Sequence, residues 1–475
     1  MTIDDTRKKW LALYVLCLGD LLIVLDISIV NVALPSIRDD LGFSEASLAW
    51  VINAYTLTFG GFMLLAGRLG DLYGHRRVFV LGVGLFTIAS AFCGLATSQA
   101  MLVGGRAIQG LGGAVVAAVA LSLIMTLFTE PADRAKAMGV IGFVAAGGGS
   151  IGVLAGGVLT DLLNWHWIFL VNVPIGALVI AFCLRLLPGD SGSRETKLDV
   201  AGAITVTASL MLAVYAIVNG NEQGWTSAQT LGLLATAAAG LALFVAIEAR
   251  VDAPLMPLGL FRLRSVATSN VVGVLWSAAM FAMFFLSALY LQLVLGYSPL
   301  EVGLAFLPAN LIMGAFSLGL SAKIVMRVGV RPPLVLGMGL VAAGLALFAR
   351  APVDGSFAVD VLPSMIILGF GIGMAMNPLL LAAMSDVKPE ESGLASGVVN
   401  TSFMLGGALG LAVLASVAAA RAGDDPSLAA LVDGYHVAFL IGTMFAIAAG
   451  AVAAIFLRGP AHAPAEAREE ALEAA

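Results

Sequence analysis

Long apolar stretches, broken at intervals by glycine, proline or charged residues, follow one another along the whole sequence. Many reach roughly 20 residues, enough for a helix to cross about 30 Å of hydrocarbon. The period-two alternation of a transmembrane β-barrel is absent from the sequence, so we expect helices to satisfy the backbone. The pattern predicts about fourteen membrane helices, at about 10–34, 47–67, 77–97, 101–128, 134–160, 166–187, 198–219, 228–248, 266–295, 300–325, 333–349, 359–384, 392–420 and 436–457.

The composition agrees with a chain embedded in a membrane. Of the 475 residues 60% are hydrophobic and 11% are charged. The mean hydropathy is +1.00, which is too apolar for a soluble surface. The sequence therefore predicts an all-α integral membrane protein. The net charge of -6 says little about partners, because the placement of charges in loops matters more than their total.

The first residues and the cysteines add two expectations. The basic segment MTIDDTRKKW precedes an apolar run longer than the core of a signal peptide, so we expect a retained first helix. Cys17, Cys93 and Cys183 lie far apart inside apolar runs. We interpret them as small core residues rather than as a disulfide framework or a metal site, and we expect neither a metal nor a cofactor.

Lysine and arginine are distributed unevenly between the two sides of the predicted bundle. With fourteen crossings, all but four of the 24 basic residues fall on the side of the two termini. The exceptions are Arg38, Arg350 and Arg421 on the other side, and Arg106 inside the fourth helix. Since cytoplasmic loops carry the excess of basic residues, we expect a multi-pass protein of the cytoplasmic (inner) membrane with both termini in the cytoplasm.

An internal repeat divides the predicted helices. Three short glycine-containing segments resemble segments 255, 259 and 258 positions later. The matched glycines are Gly74 with Gly329, Gly110 with Gly369, and Gly139 with Gly397. We predict an N-terminal six-helix bundle at 1–187, a linker with two inserted helices at 188–264, a C-terminal six-helix bundle at 265–458 and a cytoplasmic tail at 459–475. Repeated bundles are typical of transporters, whose site lies between the halves near the middle of the membrane.

Two aspartates in the first predicted helix, Asp20 and Asp26, need an explanation. Each costs roughly 2.5 to 3.5 kcal/mol at the centre of a membrane helix. They are six residues apart and therefore point about 120° away from each other. An acid in a partly hydrated pocket is able to bind and release a proton as solvent access alternates. The alternative is a structural aspartate that is hydrogen-bonded to neighbouring helices.

Arg106 is the one basic residue that the sequence places deep in the bilayer. Its guanidinium needs a partner, and Asp26 or Asp20 are the acids available in the same half. A changing distance between arginine and acid would convert helix motion into a change of proton affinity. A static buried pair, or a clamp on backbone carbonyls, is the alternative.

The segment GRLGDLYGHRR connects the second and third predicted helices. Gly67 and Gly74 permit a tight turn there, and Asp71 is able to pair with Arg76 or Arg77. On these residues alone, the segment is an orienting loop with an ion pair.

Taken together, these segments resemble the major facilitator superfamily. The loop is similar to its signature G-x-L-x-D-R-x-G-R-R/K, although Leu72 and His75 replace usual basic residues. LDISIVNVALP and RAIQGLGGA resemble the helix-1 and helix-4 motifs of the fourteen-helix drug:proton antiporter branch, which places Asp26 and Arg106 on its charged positions. WHWIFLVNVPIG and YLQLVLGYSPLEVGLAFLP are also similar to this branch.

The resemblance implies a fold and a mechanism. It implies two six-helix bundles plus two inserted helices, a helix 2–3 loop that stabilises the outward-facing arrangement, and charges that couple proton entry to efflux. The fifth helix resembles the antiporter motif G-P-x-x-G-G through Gly152, Gly156 and Gly157, which allow close helix packing. Val153 stands where proline is usual, so leak or uniport stays open beside strict antiport.

Polar or aromatic residues in otherwise apolar helices are the predicted lining of a substrate cavity. For each of them, hydrogen bonding between helices is the alternative to substrate contact. They are Asn31, Trp50, Asn53, Tyr55, Gln109, Tyr290, Gln292, Asn310, Asn377 and Asn400.

The sequence thus predicts a proton-coupled exporter of lipophilic drugs or a secondary metabolite, working by alternating access. Its partners would be a small lipophilic molecule, protons and the lipid bilayer, without nucleic acid, and we expect a functional monomer. The last six helices lack an obvious carboxylate at mid-membrane depth, which favours neutral, zwitterionic or monovalent substrates. An importer or uniporter of the same fold and a non-transporting sensor are the alternatives, whereas no nucleophile–base pair suggests an enzyme.

Overall fold

We analysed a computed structural model of the chain. It describes residues 3–457 apart from 129, 188–198, 253, 317–319, 385, 388–391, 424 and 426. Most of the predicted linker before the inserted helices, and the whole of the predicted tail 459–475, therefore lie outside the described residues. Within the described part, every regular element is a helix. The prediction of an all-α protein is confirmed.

The N-half, as we call helices α1–α8, is built from long helices joined by short turns. Side chains of Ser44 and Ser98 accept backbone hydrogen bonds and so cap the starts of α2 and α5. The helices are α1 (Ile3–Leu41), α2 (Glu45–Leu48), α3 (Trp50–Tyr73), α4 (His75–Gly94), α5 (Gln99–Leu127), α6 (Pro131–Leu162), α7 (Trp167–Leu170) and α8 (Asn172–Leu186).

The insert, helices α9 (Val200–Gln223) and α10 (Ala228–Glu248), precedes the C-half. A short 3₁₀ helix, Leu258–Arg262, leads into the C-half, and π-helical turns occupy Tyr290–Val294 and Phe357–Val361. The C-half helices are α11 (Arg264–Leu289), α12 (Pro299–Ala315), α13 (Ser321–Val328), α14 (Arg331–Phe348), α15 (Leu362–Met384), α16 (Ser392–Ala422) and α17 (Leu428–Phe456).

Twelve helices of the described chain are long and apolar enough to cross a membrane. The described apolar parts of α6 and α12, Ile151–Leu162 and Pro299–Ala315, are shorter. Large apolar side chains on the outer surface, such as Leu81 and Ile88 at 70% exposure each, suit contact with lipid. A count of fourteen crossings and the domain boundaries at 187 and 265 stay predictions.

The N-half and the C-half pack closely through α6 and α12 at one end of the molecule, and α3 also packs against α16, where a Cβ added to Gly397 would lie 2.9 Å from Leu64 Cδ2. We call the end where α1 starts the N-terminal face and the other end the opposite face. A Cβ added to Gly157 of α6 would lie 2.7 Å from Leu300 Cα of α12, and one added to Gly303 would lie 2.9 Å from the Val153 carbonyl. Gln292 Nε2 also donates to the carbonyl of Val32 in α1 at 2.8 Å. The structure is therefore closed at the opposite face.

The insert contacts both halves through α9. A Cβ added to Gly61 of α3 would lie on the Thr207 hydroxyl of α9, so these helices are in close contact. Toward the opposite face, Asn221 Nδ2 donates to the carbonyl of Ser416 in α16 at 2.8 Å. Helix α9 of the insert therefore packs along the seam between the N-half and the C-half.

Candidate functional site

A fully buried carboxylate lies at the middle of α1. Asp26 is 0% exposed. Its Oδ2 accepts a hydrogen bond from Arg106 Nη1 at 2.5 Å, and its Oδ1 accepts from Gln109 Nε2 at 2.7 Å and from Asn172 Nδ2 at 3.2 Å. Because both oxygens accept from N–H donors, the geometry fits a deprotonated carboxylate. The structure thus places Asp26 against Arg106, as expected for a lone pair of opposite charges in a membrane.

The guanidinium of Arg106 has further partners besides the carboxylate. Its Nε donates to the carbonyl of Val51 at 2.8 Å, and its Nη1 also donates to Gln109 Oε1 at 2.7 Å. The rings of Tyr55 and Phe169 lie 4.4 Å and 5.7 Å from its Cζ. The arginine therefore keeps two acceptors and two aromatic faces even if the acid changes its protonation state.

Three helices around α1 contribute neutral polar groups to this network. Gln109 of α5 donates to the carboxylate and also to Ser90 Oγ of α4 at 2.7 Å. Asn172, at the start of α8, is 0% exposed, and its Oδ1 has no hydrogen-bond partner among the described residues. Together these groups hold Asp26 within a polar cluster that apolar helices enclose.

Asp20 lies apart from this network. It is half-buried, and in the described part of the chain its carboxylate has neither a hydrogen bond nor an ion pair. Asp20, Val24, Ile27 and Asn31 are all half-buried and follow one another at helical spacing. One stripe of α1 is therefore partly open, and Asp20 is on it while Asp26 points into the sealed network.

The loop between α3 and α4 is a single-residue turn. Gly74 has φ = 92°, a conformation that favours glycine, and its N–H donates to the Gly70 carbonyl at 3.0 Å. Gly67, which we expected to help form the turn, instead lies inside α3, where a helix needs no glycine to continue.

The charged residues of this loop have separate surroundings. Arg76 Nη2 donates to the Leu184 carbonyl near the end of α8, and Arg77 is exposed. The side chain of Asp71 lies outside the described part, so its predicted pairing with an arginine stays a prediction.

The glycines of the α6 motif pack against two different helices. A Cβ on Gly152 would lie 2.9 Å from the Leu25 carbonyl, and one on Gly156 would lie 2.7 Å from the Ile29 carbonyl, both in α1. Gly157, by contrast, packs on α12 of the C-half. The motif therefore joins α6 to α1 within the N-half and seals the opposite face with its last residue.

Sequence comparisons agree with the motifs. The family model of the Major Facilitator Superfamily matches residues 16–411. The puromycin resistance protein of Streptomyces alboniger is 40% identical over 93% of this chain and 89% of its own length. The cephamycin export protein of Amycolatopsis lactamdurans is 38% identical, covering 94% of this chain and 92% of its own length. The chain belongs to the Major Facilitator Superfamily.

Solved structures confirm the facilitator fold. The inward open xylose transporter from E. coli has a TM-score of 0.63 at 15% identity, covering 97% of this chain and 98% of its own. A nucleoside transporter has a TM-score of 0.67 at 14% identity, covering 94% of this chain and 100% of its own. These structures confirm the predicted fold class, and the family model and the sequence relatives confirm the predicted superfamily.

Some of the predicted cavity residues of this facilitator protein have structural partners. The Tyr290 hydroxyl donates to the Pro352 carbonyl at 2.7 Å, and Asn31 Nδ2 donates to the Ile27 carbonyl of its own helix at 3.1 Å. Trp50 packs against an apolar cluster of α3, α9 and α16, and Gln292 joins the halves at the opposite face.

Other predicted cavity residues keep polar atoms without a partner. Among the described residues, no hydrogen bond reaches either amide atom of Asn53, the hydroxyl of Tyr55 or Nδ2 of Asn310, although all three side chains are buried. Asn377 is half-buried, and Asn400 Nδ2 approaches the Met63 sulfur at 3.9 Å. Unpartnered buried polar atoms are costly, so Asn53, Tyr55 and Asn310 are the strongest candidates for contact with water or substrate.

Sequence reasoning missed two members of the Asp26 network, Asn172 and Ser90. Asn172 lies inside WHWIFLVNVPIG, so its position in an apolar run was an available signal. Ser90 gave none, because serine in a helix commonly bonds its own backbone, as its Oγ does to the Phe86 carbonyl at 2.8 Å.

Proposed function

We propose that this protein exports lipophilic small molecules across the cytoplasmic membrane in exchange for protons, with both termini in the cytoplasm. Its relatives include a cephamycin export protein and proteins of resistance to puromycin and lincomycin, which supports export of compounds of this kind. The observation that carries proton coupling is Asp26, a membrane-embedded carboxylate that a single arginine neutralises.

In this proposal, the observed state is the one that follows proton release. The opposite face, which is extracellular in our proposal, is closed by the contact of Gly157 with Leu300. In this state Asp26 is bonded as an anion to Arg106, Gln109 and Asn172. A proton that enters from outside in the other state would occupy the carboxylate and weaken its bond to the arginine.

Arg106 is suited to such an exchange because it does not depend on one partner. When Asp26 binds a proton, the guanidinium still has the Val51 carbonyl, Gln109 Oε1 and the Tyr55 ring. The cost of a buried unpaired charge is thereby reduced. Arg106 of α5 bonds Asp26 of α1 and Val51 of α3. Because the bond to Asp26 weakens when the proton binds, the preferred arrangement of these three helices changes with protonation.

One proton suffices energetically for substantial export. A proton moving down 100 mV supplies about 2.3 kcal/mol, and each pH unit adds about 1.4 kcal/mol. A single coupled proton would thus sustain a substrate gradient of about two to three decades. Proton binding at Asp26 alone is enough for this, and Asp20, which is half-buried and unpaired among the described residues, is the secondary candidate.

The proposal is tested in proteoliposomes with puromycin and ethidium as transport probes. With an imposed pH gradient, wild type should move the probes uphill, and Asp26→Asn should reduce this at least about tenfold because its amide carries no exchangeable carboxyl proton. Exchange of labelled for unlabelled probe without a gradient should persist in Asp26→Asn, which shows that the variant is folded and binds. Asp20→Asn, which neutralises the other acid of the same helix, is the comparison variant.

The outcomes separate the alternatives. Uphill transport that survives in Asp26→Asn and in Asp20→Asn contradicts proton coupling at α1. Transport by the wild type that does not depend on pH would favour the uniporter that Val153 leaves open. Identical probe levels in liposomes with and without the protein would favour a sensor.

A further inference from the structure

A cavity lies at the opposite face, away from the Asp26 network. It has a volume of about 900 Å³, and all three parts of the chain line it. The N-half contributes Arg38 and Glu45, the insert contributes Asn221 and Trp225, and the C-half contributes Asp425 among others. We call it the outer cleft.

The outer cleft has the size and the mixed lining of a small-molecule site. Sites for such ligands range over about 300 to 1,000 Å³ and combine apolar walls with a few polar groups. Val218, Leu293 and Leu431 form apolar wall, and Trp225 is 45% exposed, so its indole is available to a ligand. A lipophilic molecule of moderate size would fit.

The charges of the outer cleft favour a cation. Arg38 is paired with Asp39, with 2.7 Å between Nη2 and Oδ1, and its positive charge also acts on Glu45. Glu45 is half-buried and, within the described chain, forms no ion pair, while the Asp425 carboxylate accepts a backbone hydrogen bond from Ser427 at 2.9 Å. Glu45 and Asp425 line the same cleft as the indole of Trp225, and an aromatic face together with carboxylates suits an organic ammonium group.

We propose that the outer cleft is a second binding site, which takes a lipophilic monovalent organic cation. Glu45 neutralises the cation's charge, and Trp225 covers its apolar part. Arg38 opposes binding, because it carries the same sign as the ligand at the same rim. In export, the outer cleft would be the site from which the cation is released. This role rests on the export proposed above, whereas binding itself does not.

Equilibrium binding of ethidium to the purified full-length protein tests this site without any gradient. Glu45→Gln and Trp225→Ala should each weaken the outer-cleft component at least about fivefold. Arg38→Gln should strengthen it, because the competing cation is gone. The neutral dye Nile red should bind equally well to the wild type and to Glu45→Gln.

Matched controls lie on the same face outside the cleft. Asp161→Asn removes an exposed acid, and Trp167→Ala removes a tryptophan that is 44% exposed, close to the 45% of Trp225. Neither should change ethidium affinity. Asp26→Asn should leave the outer-cleft component intact, so that a failure of proton coupling is distinguished from a failure of this site.

Photolabelling locates the bound cation directly. Ethidium azide should label peptides that contain 38–46 or 217–226, and Glu45→Gln should lose this labelling while its thermal transition is unchanged. Labelling confined to peptides elsewhere, or ethidium affinity equal to wild type in both Glu45→Gln and Trp225→Ala, overturns the proposal.

Discussion

At the residue scale, the Asp26 network combines a strong ion pair with a shape that only arginine fits. The guanidinium reaches a carboxylate, an amide oxygen and a backbone carbonyl on different elements at the same time. Lysine is a compact point charge with a flexible stem and offers no such planar fork. The position therefore depends on guanidinium geometry as well as on positive charge.

We expect Arg106→Lys to lower stability by about 2 kcal/mol or more and to abolish uphill transport, since contacts of Val51 and Gln109 are lost in a buried site. A fall in Tm together with the proteoliposome assay measures both effects. Arg264→Lys is the matched control: Arg264 also bonds a carbonyl, that of Ile455, and lies over the ring of Phe456, but its side chain contacts lie at the surface. Equal Tm and transport in Arg106→Lys and wild type would contradict this account.

The ion pair was predictable from the sequence, and its neutral partners were not. A lone arginine in an apolar half has few possible partners, so Arg106 could be assigned to Asp26 or to Asp20. Asn172 and Ser90 are small polar residues of a type that also bonds its own helix, so their participation follows only from three-dimensional packing.

At the element scale, α6 shows what a run of glycines accomplishes. Gly152 and Gly156 lie four residues apart on one face, and both bring the backbone of α6 against α1. Val153, where the family motif has proline, is 4% exposed, and α6 runs as one helix from Pro131 to Leu162. Helix contact here is between backbones, which leaves no space for a side chain at either glycine.

We expect Gly156→Ala to destabilise the protein, because the added Cβ would lie 2.7 Å from the Ile29 carbonyl. Gly149→Ala, in the same helix, would place its Cβ 3.8 Å from the Ser28 hydroxyl, an ordinary contact. This control should be neutral or slightly stabilising, by up to about 1 kcal/mol, because alanine favours helix. Thermal unfolding of both variants checks the contrast, and similar Tm values for the two would show that α6 and α1 are not packed as described.

Helix positions followed from the hydrophobic pattern, while turn chemistry was harder to assign. The predicted span 77–97 corresponds to α4 within a few residues, since the length of an apolar stretch is visible in the sequence. The turn before it was assigned to Gly67 and Gly74 together, yet only Gly74 adopts a positive φ. Glycine is also used for close helix approach in membranes, so its presence alone does not locate a turn.

At the scale of the whole molecule, the structure shows one state of a protein that must have at least two in our proposal. The halves touch at the opposite face through α6 and α12, and α9 of the insert lies along their seam. The sequence alone does not specify which end is closed, because the same residues serve both states. Which end is closed is therefore known only from the three-dimensional structure.

We expect Gly157→Ala to shift the protein toward a state open at the opposite face. The added Cβ would lie 2.7 Å from both Leu300 Cα and the Pro299 carbonyl, so the two halves must separate there. Leu162 and Val359 are 72% exposed each and belong to different halves. Spin labels at Leu162→Cys and Val359→Cys report the distance between the halves by double electron–electron resonance.

The variant should show a larger population of long distances than the parent protein does. Gly149→Ala in the same labelled background should reproduce the parent distribution. If Gly157→Ala folds and its distance distribution matches the parent, then α6 and α12 do not form the closing contact.

The contact between Gly157 and Leu300 has one more consequence. It joins main chain to main chain, and neither glycine nor leucine carries a group that titrates or that salt would screen. If this face is extracellular, as we propose, acidity and ionic strength outside the cell have no direct effect on the contact between Gly157 and Leu300. A dependence of the two states on acidity or salt would have to come from charged groups other than this contact, such as those of the outer cleft or of the Asp26 network.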